Sequence, residues 1–176
     1  MSIATTILLI LAGIIALLLI MALFMKRQHS VNRQIVIQAP RQKVFDFLKL
    51  LKNQEQFNKW AKADKNRNEE TKGTDGTVGF IYSWSGDRDA GKGEKEIINL
   101  VEGKKIETEI RFTKPMRVSA RVIFEMESLS DNQTKVTLVN AGTLPYPFNI
   151  MIPIAEKNFA KDMDGSLSTL KTILEK

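Results

Sequence analysis

The strongest constraint on this chain is an uncharged apolar run near its start, Ile3 to Met25, which contains ILLILAGIIALLLIMALFM. As a helix rising about 1.5 Å per residue it is roughly 35 Å long, enough to cross a hydrocarbon core of about 30 Å. A cleaved signal peptide would show a basic start, a shorter apolar region and a small-x-small exit. Here no Lys or Arg precedes the run, and it ends Ala22-Leu23-Phe24-Met25-Lys26-Arg27. The reading is an uncleaved transmembrane anchor over 1–25, a juxtamembrane linker over 26–32 and one domain over 33–176. A linker of at most about 3.5 Å per residue reaches roughly 25 Å, so the domain stays close to the bilayer.

Charge fits that placement. All 26 Lys and Arg and all 20 Asp and Glu follow the anchor, giving a net charge of +6. Lys26, Arg27 and Arg33 lie where anionic headgroups attract them, so membrane lipid is an expected partner, and basic residues after the helix place the domain on the cytoplasmic side. Elsewhere the signs are mixed, as in Lys62 to Lys72 with Asp64, Glu69 and Glu70. No zinc, basic-helix or RNA-binding motif accompanies them, so nucleic acid is not an expected partner. The sequence says nothing of a protein partner.

Several chemistries lack their residues. With no cysteine there is no disulfide, thiolate metal site or cysteine nucleophile. His29 is the single histidine and reads as a linker residue, so no His-based zinc site or triad is expected. The stretch Gly86 to Gly93 approaches a phosphate-binding loop, but Gly93 stands where Ser or Thr must hold magnesium, and a strand pattern follows instead of a helix. Asp87, Asp89 and Glu94 form the nearest acidic cluster and read as a charged hairpin tip. No catalytic residue, metal or cofactor is assigned.

Beyond the linker, Val31, Ile35, Ile37 and Ala39 share one parity, the mark of a half-buried strand, before Pro40 opens a short helix carrying Val44, Phe45, Leu48 and Leu51. A second short helix is expected around Gln54 to Trp60, then a polar stretch to Gly76. From Thr77 strands follow: Val78, Phe80, Tyr82 and Trp84 on one face, then Glu94–Val101, Lys105–Thr113, Arg117–Glu127 and Lys135–Thr143. Two of them alternate cleanly, Ile106, Thr108, Ile110 and Phe112 in one and Val118, Ala120, Val122, Phe124 and Met126 in the other. From about Pro153 a long helix carries Ala155, Phe159, Met163, Leu167, Leu170 and Leu174 at three- and four-residue steps. The fold class is α+β, with a curved antiparallel sheet wrapped around a long C-terminal helix so that each buries the other's apolar face.

The inward parities collect Trp60, Phe80, Tyr82, Trp84, Phe112, Phe124, Phe159 and Met163. Solid core and an apolar ligand cavity both fit this set, since Tyr and Trp bring polar atoms that seek partners when buried. The proline-broken segment Leu144 to Pro153 either seats the terminal helix or forms a cavity lip in which Tyr146, Phe148 and Met151 dip into headgroups.

Local sequence resembles one superfamily. Ile35 to Phe45, with its Ala39-Pro40 turn, resembles the opening strand and helix of the START-related, polyketide cyclase/dehydrase-like (SRPBCC) proteins, and Phe57 to Asp64 resembles their tryptophan-containing segment. Tyr82 to Gly86 with Ala90 to Glu94, Phe112 to Met116 and Asp164 to Lys171 are similar to a bacterial branch with an N-terminal anchor. The resemblance implies the helix-grip fold and a hydrophobic-ligand cavity between sheet and terminal helix, and so favours the cavity reading of the aromatic set. It implies no single activity, because the superfamily holds lipid carriers, sterol binders, cyclases and ring-hydroxylase subunits. The expected function is a membrane-tethered module that binds or transports a lipid or other hydrophobic small molecule. A cyclase or dehydratase-like enzyme and a regulatory protein-interaction domain are the alternatives.

Overall fold

A computed structural model describes residues 2–58, 67–86 and 91–176. Its first element is helix α1, Ile3–Phe24, whose side chains are exposed along nearly the whole length. Ser2 caps its start by accepting from the Thr5 backbone N–H. The helix is long and apolar enough to cross a membrane.

Strand β1, Gln28–Ile37, follows after only three residues. It begins inside the stretch read from sequence as linker, because β7, Gln133–Thr143, is long enough to pair with it from Ile37↔Thr134 to Gln28↔Thr143. The extended ladder buries His29 and Val31 on the parity of Ile37. His29 is therefore a packed strand residue and not a linker residue: its ring lies 5.3 Å from that of Phe159.

Pro40 precedes α2, Arg41–Leu48, which buries Val44, Phe45 and Leu48. The short helix α3 spans Leu51–Gln54, earlier than its expected position. Asp75 decides where it starts, since its carboxylate accepts from the backbone N–H groups of Leu51 and Lys52, at 2.8 and 3.2 Å.

The strands form one antiparallel sheet in the order β1-β7-β6-β5-β4-β3-β2, with β2 at Asn68–Lys72, β3 at Ile81–Ser85, β4 at Lys92–Val101, β5 at Lys105–Lys114 and β6 at Val118–Ser130. β2 is fully exposed and shows no alternation, so periodicity does not separate it from the polar stretch around it. β3 starts later than expected, with Val78 exposed before it. Between β3 and β4, Gly93 lies opposite Trp84. A Cβ there would sit 2.8 Å from the indole ring, so only glycine lets the ring lie flat across the ladder.

Helix α4, Ile152–Leu174, lies in the concave face and packs across β1. Its buried Met163, Leu167, Leu170 and Leu174 join Phe45, Ile106, Phe124 and Val136 in the main core. Polar contacts fix it at the open edge of β1: Lys171 Nζ donates to the Val36 carbonyl at 2.9 Å, and Glu175 accepts from the Gln38 N–H at 2.6 Å. Covering the edge strand in this way removes a site for intermolecular pairing. This is the helix-grip arrangement.

Candidate functional site

The period-two alternation of β5 and β6 turns Ile110, Val122 and Phe124 toward α4, while Leu138 and Asn140 of β7 continue the same surface. α4 faces them with Phe159, Asp162, Met163 and Ser166. Sheet and helix do not close completely here, and they leave a cavity of about 120 Å³. Phe57 forms one wall, edge-on to Phe124 at a ring distance of 6.3 Å. Gln54, Asn58 and Lys95 complete the lining. A mainly apolar concavity with a few placed polar groups is what a small-molecule site requires.

The most unusual of these polar groups is Lys95. Its strand neighbours Glu94 and Glu96 point outward, where Arg111 binds both and also Glu109. Lys95 shares the inward parity with Gly93 and Ile97, and only 8% of it is exposed. Its ammonium donates to Gln54 Oε1. Gln54 is held in turn, its amide nitrogen donating to the Leu48 carbonyl at 2.7 Å where α2 ends. Burial pushes the Lys95 ammonium down to about 8, although Glu55 and Asp75 oppose the shift.

The aromatic set expected from sequence divides. Phe124, Phe159 and Met163 line the cavity. Phe80 and Tyr82 lie elsewhere, in a second cluster with Leu51 and Ile97 against which Trp84 packs. Phe112 meets Trp84 edge-on at 5.6 Å. Trp60 lies outside the described residues, as do Asp87 and Asp89. The Tyr82 hydroxyl accepts from Arg67 Nη2 at 2.8 Å, and Glu55 completes the group; burial raises the hydroxyl well above its ordinary range. Phe57, Gln54 and Lys95 were not singled out from the sequence. For Lys95 the signal was present, since alternation through Gly93, Lys95 and Ile97 puts a lysine on an inward face.

Tyr146, Phe148 and Met151 are exposed, together with Ile154. The 3-10 turn that carries Phe148 and Met151 packs against α1. Asn149, in the 3-10 turn Phe148–Met151, is fully buried and donates to the Ala22 and Met25 carbonyls at 2.7 and 3.0 Å, satisfying the end of α1. Lys26 pairs with Glu156 of α4 at 2.7 Å, and the Leu144 N–H donates to the Arg27 carbonyl at 2.9 Å. The end of α1 is thus bonded to the domain and not merely leashed to it.

No family model matches the sequence, and no curated protein matches it. Solved structures do resemble it in fold. Protein MLL2253 from Mesorhizobium loti is 16% identical with a TM-score of 0.61, covering 85% of this chain and 97% of its own. Protein CV1439 from Chromobacterium violaceum is 15% identical with a TM-score of 0.58, over 84% and 97%. Norcoclaurine synthase from Thalictrum flavum, solved in complex with dopamine and hydroxybenzaldehyde, is 11% identical with a TM-score of 0.61, over 84% and 87%. What these structures share with the chain is a curved antiparallel sheet gripping a long C-terminal helix, the helix-grip fold.

Proposed function

We propose that this protein is a membrane-tethered module that holds a lipid or other hydrophobic small molecule between its sheet and α4. The observation that carries the reading is the cavity, where Phe57, Ile110, Phe124, Phe159 and Met163 leave space in an otherwise packed core. Protein interiors pack at near-crystalline density, so a retained void lined by rings calls for an occupant. The solved complex of norcoclaurine synthase with two small aromatic molecules supports it, since that protein has the same fold. Organic extraction of the full-length protein purified in mild detergent, followed by mass spectrometry, is expected to return an apolar small molecule in stoichiometric amount. Repeated recovery of detergent and bulk lipid alone would remove the proposal.

Tethering rests on α1, its 22 residues spanning about 33 Å. Asn149 bonds the end of α1 to the turn that carries Phe148 and Met151. In this reading those two side chains and Tyr146 meet the headgroups, with the domain on the cytoplasmic side. The chain has no cysteine, so a single Phe148→Cys variant can be labelled at one site. In liposomes a bimane at 148 is expected to be strongly quenched by spin-labelled lipid, while one at Ser128→Cys, on the far end of β6, is not. Equal quenching at both positions would remove the membrane-facing lip.

A further inference from the structure

We propose that the cavity selects an apolar ligand bearing one carboxylate, with the carboxylate on the Lys95 ammonium and the chain among Ile110, Phe124, Phe159 and Met163. This rests on the apolar-cavity reading above and names the class of ligand within it. Three observations lead to it. The first is position: Lys95 is the one basic side chain among the described residues lining the cavity, and it enters from the sheet opposite α4. The second is its bonding among the described residues. An ammonium carries three donors, and the hydrogen bond that Lys95 makes among the described residues goes to the neutral Gln54 oxygen. No carboxylate of the described residues lies within ion-pair distance of it.

The third is charge. Glu55 and Asp75 favour the ammonium form from beyond contact distance, while burial opposes it. A lysine on an inward face, in a core where a hydrocarbon side chain would pack without penalty, is costly unless an anion meets it. Size and charge together narrow the anion. About 120 Å³ is well below the 300–1,000 Å³ of drug-sized sites, which leaves room for a short chain or one end of a longer one. One ammonium balances one carboxylate. A phosphate dianion would bring one negative charge more than the single Lys95 ammonium balances.

The test compares hexanoate with 1-hexanol, matched in chain and differing in charge, by calorimetric titration of full-length protein in nanodiscs, with empty nanodiscs as the blank. Wild type is expected to bind hexanoate about tenfold more tightly than the alcohol, the effect of one charge-assisted hydrogen bond in a poorly solvated site. Lys95→Met and Lys95→Gln are expected to lose that preference while still binding 1-hexanol, which also reports that both variants are folded. Equal affinity of wild type for the two probes would overturn the anion assignment and leave the apolar cavity standing. A preference for hexanoate that survives in both variants would overturn the role of Lys95. Binding of neither probe would remove the cavity reading itself, and this assignment with it.

Discussion

Lys95→Met is expected to change stability by an amount that depends on pH, with the difference between variant and wild type moving by about 3 kcal/mol between about pH 7 and pH 10.5. The folded protein holds the Lys95 ammonium at about 8, because burial penalises its charge more than Glu55 and Asp75 favour it. In the unfolded chain a lysine titrates near 10.4. Between those values the unfolded state keeps a proton that the folded state has released, so the wild type gains stability as pH rises from about 8 to about 10.5. Below about 8 the full penalty is present; above about 10.5 it is gone. Methionine has a similar length and nothing to titrate. It removes the penalty at neutral pH and leaves the Gln54 oxygen without its donor at every pH, a cost of about 1–3 kcal/mol. That cost cancels when two pH values are compared, so the change in the difference isolates the ammonium. Urea unfolding of both proteins at pH 7, 9 and 10.5 measures it, and a difference that stays flat across the series would show that burial does not depress Lys95. A lysine whose charge costs the folded protein stability at neutral pH while conferring carboxylate preference is retained for binding and not for folding.

Leu170→Ala is expected to cost about 3–4 kcal/mol, in the middle of the range for leucine truncation and a large share of a typical domain's 5–15 kcal/mol. Leu170 is completely buried on α4, in the same cluster as Phe45, Ile106 and Val136. Neighbouring side chains there are held by both the sheet and α2, so the site has little freedom to collapse, and the void left behind persists. Met163→Ala, two turns earlier on the same helix, provides the contrast. Met163 already borders the cavity, so fewer contacts are lost there, and about 2 kcal/mol is expected. Urea midpoints with unchanged slopes report both values. Equal losses at the two positions would mean that the space beside Met163 is as tightly filled as the core around Leu170.

Much of the architecture was legible because burial leaves periodic traces. β5 and β6 alternate so regularly that Ile106, Val122, Phe124 and Met126 appear on the inward side without any structure, and the structure buries all four. The stripe Met163, Leu167, Leu170, Leu174 announces α4 in the same way. β2 left no such trace. Its residues Asn68 to Lys72 are exposed on both faces and are held as a strand only by backbone pairing to β3, which periodicity does not register. Phe80 and Tyr82 show a different limit. Their inward parity was correct, but β3 lies near the far edge of a curved sheet, where the inward direction meets Leu51 and not α4. Parity tells a side chain which face it takes, and curvature decides what that face meets.

The sequence by itself determined the apolar helix, the antiparallel strands and the terminal helix that must lie against them, because local spacing and bulk hydrophobicity are properties of neighbours along the chain. Only the tertiary structure decided the contacts that give these elements a use. Asn149 closes the end of α1 across 127 positions of sequence, and β7 extends β1 back to within three residues of that helix. The separation between α4 and the sheet leaves a cavity beside Phe124, Phe159 and Met163 where closer packing of the same side chains would fill the space, and the backbone register of β4 turns Lys95 into it. Those outcomes depend on how far apart packed layers come to rest, a balance over the whole core that no short stretch of sequence carries.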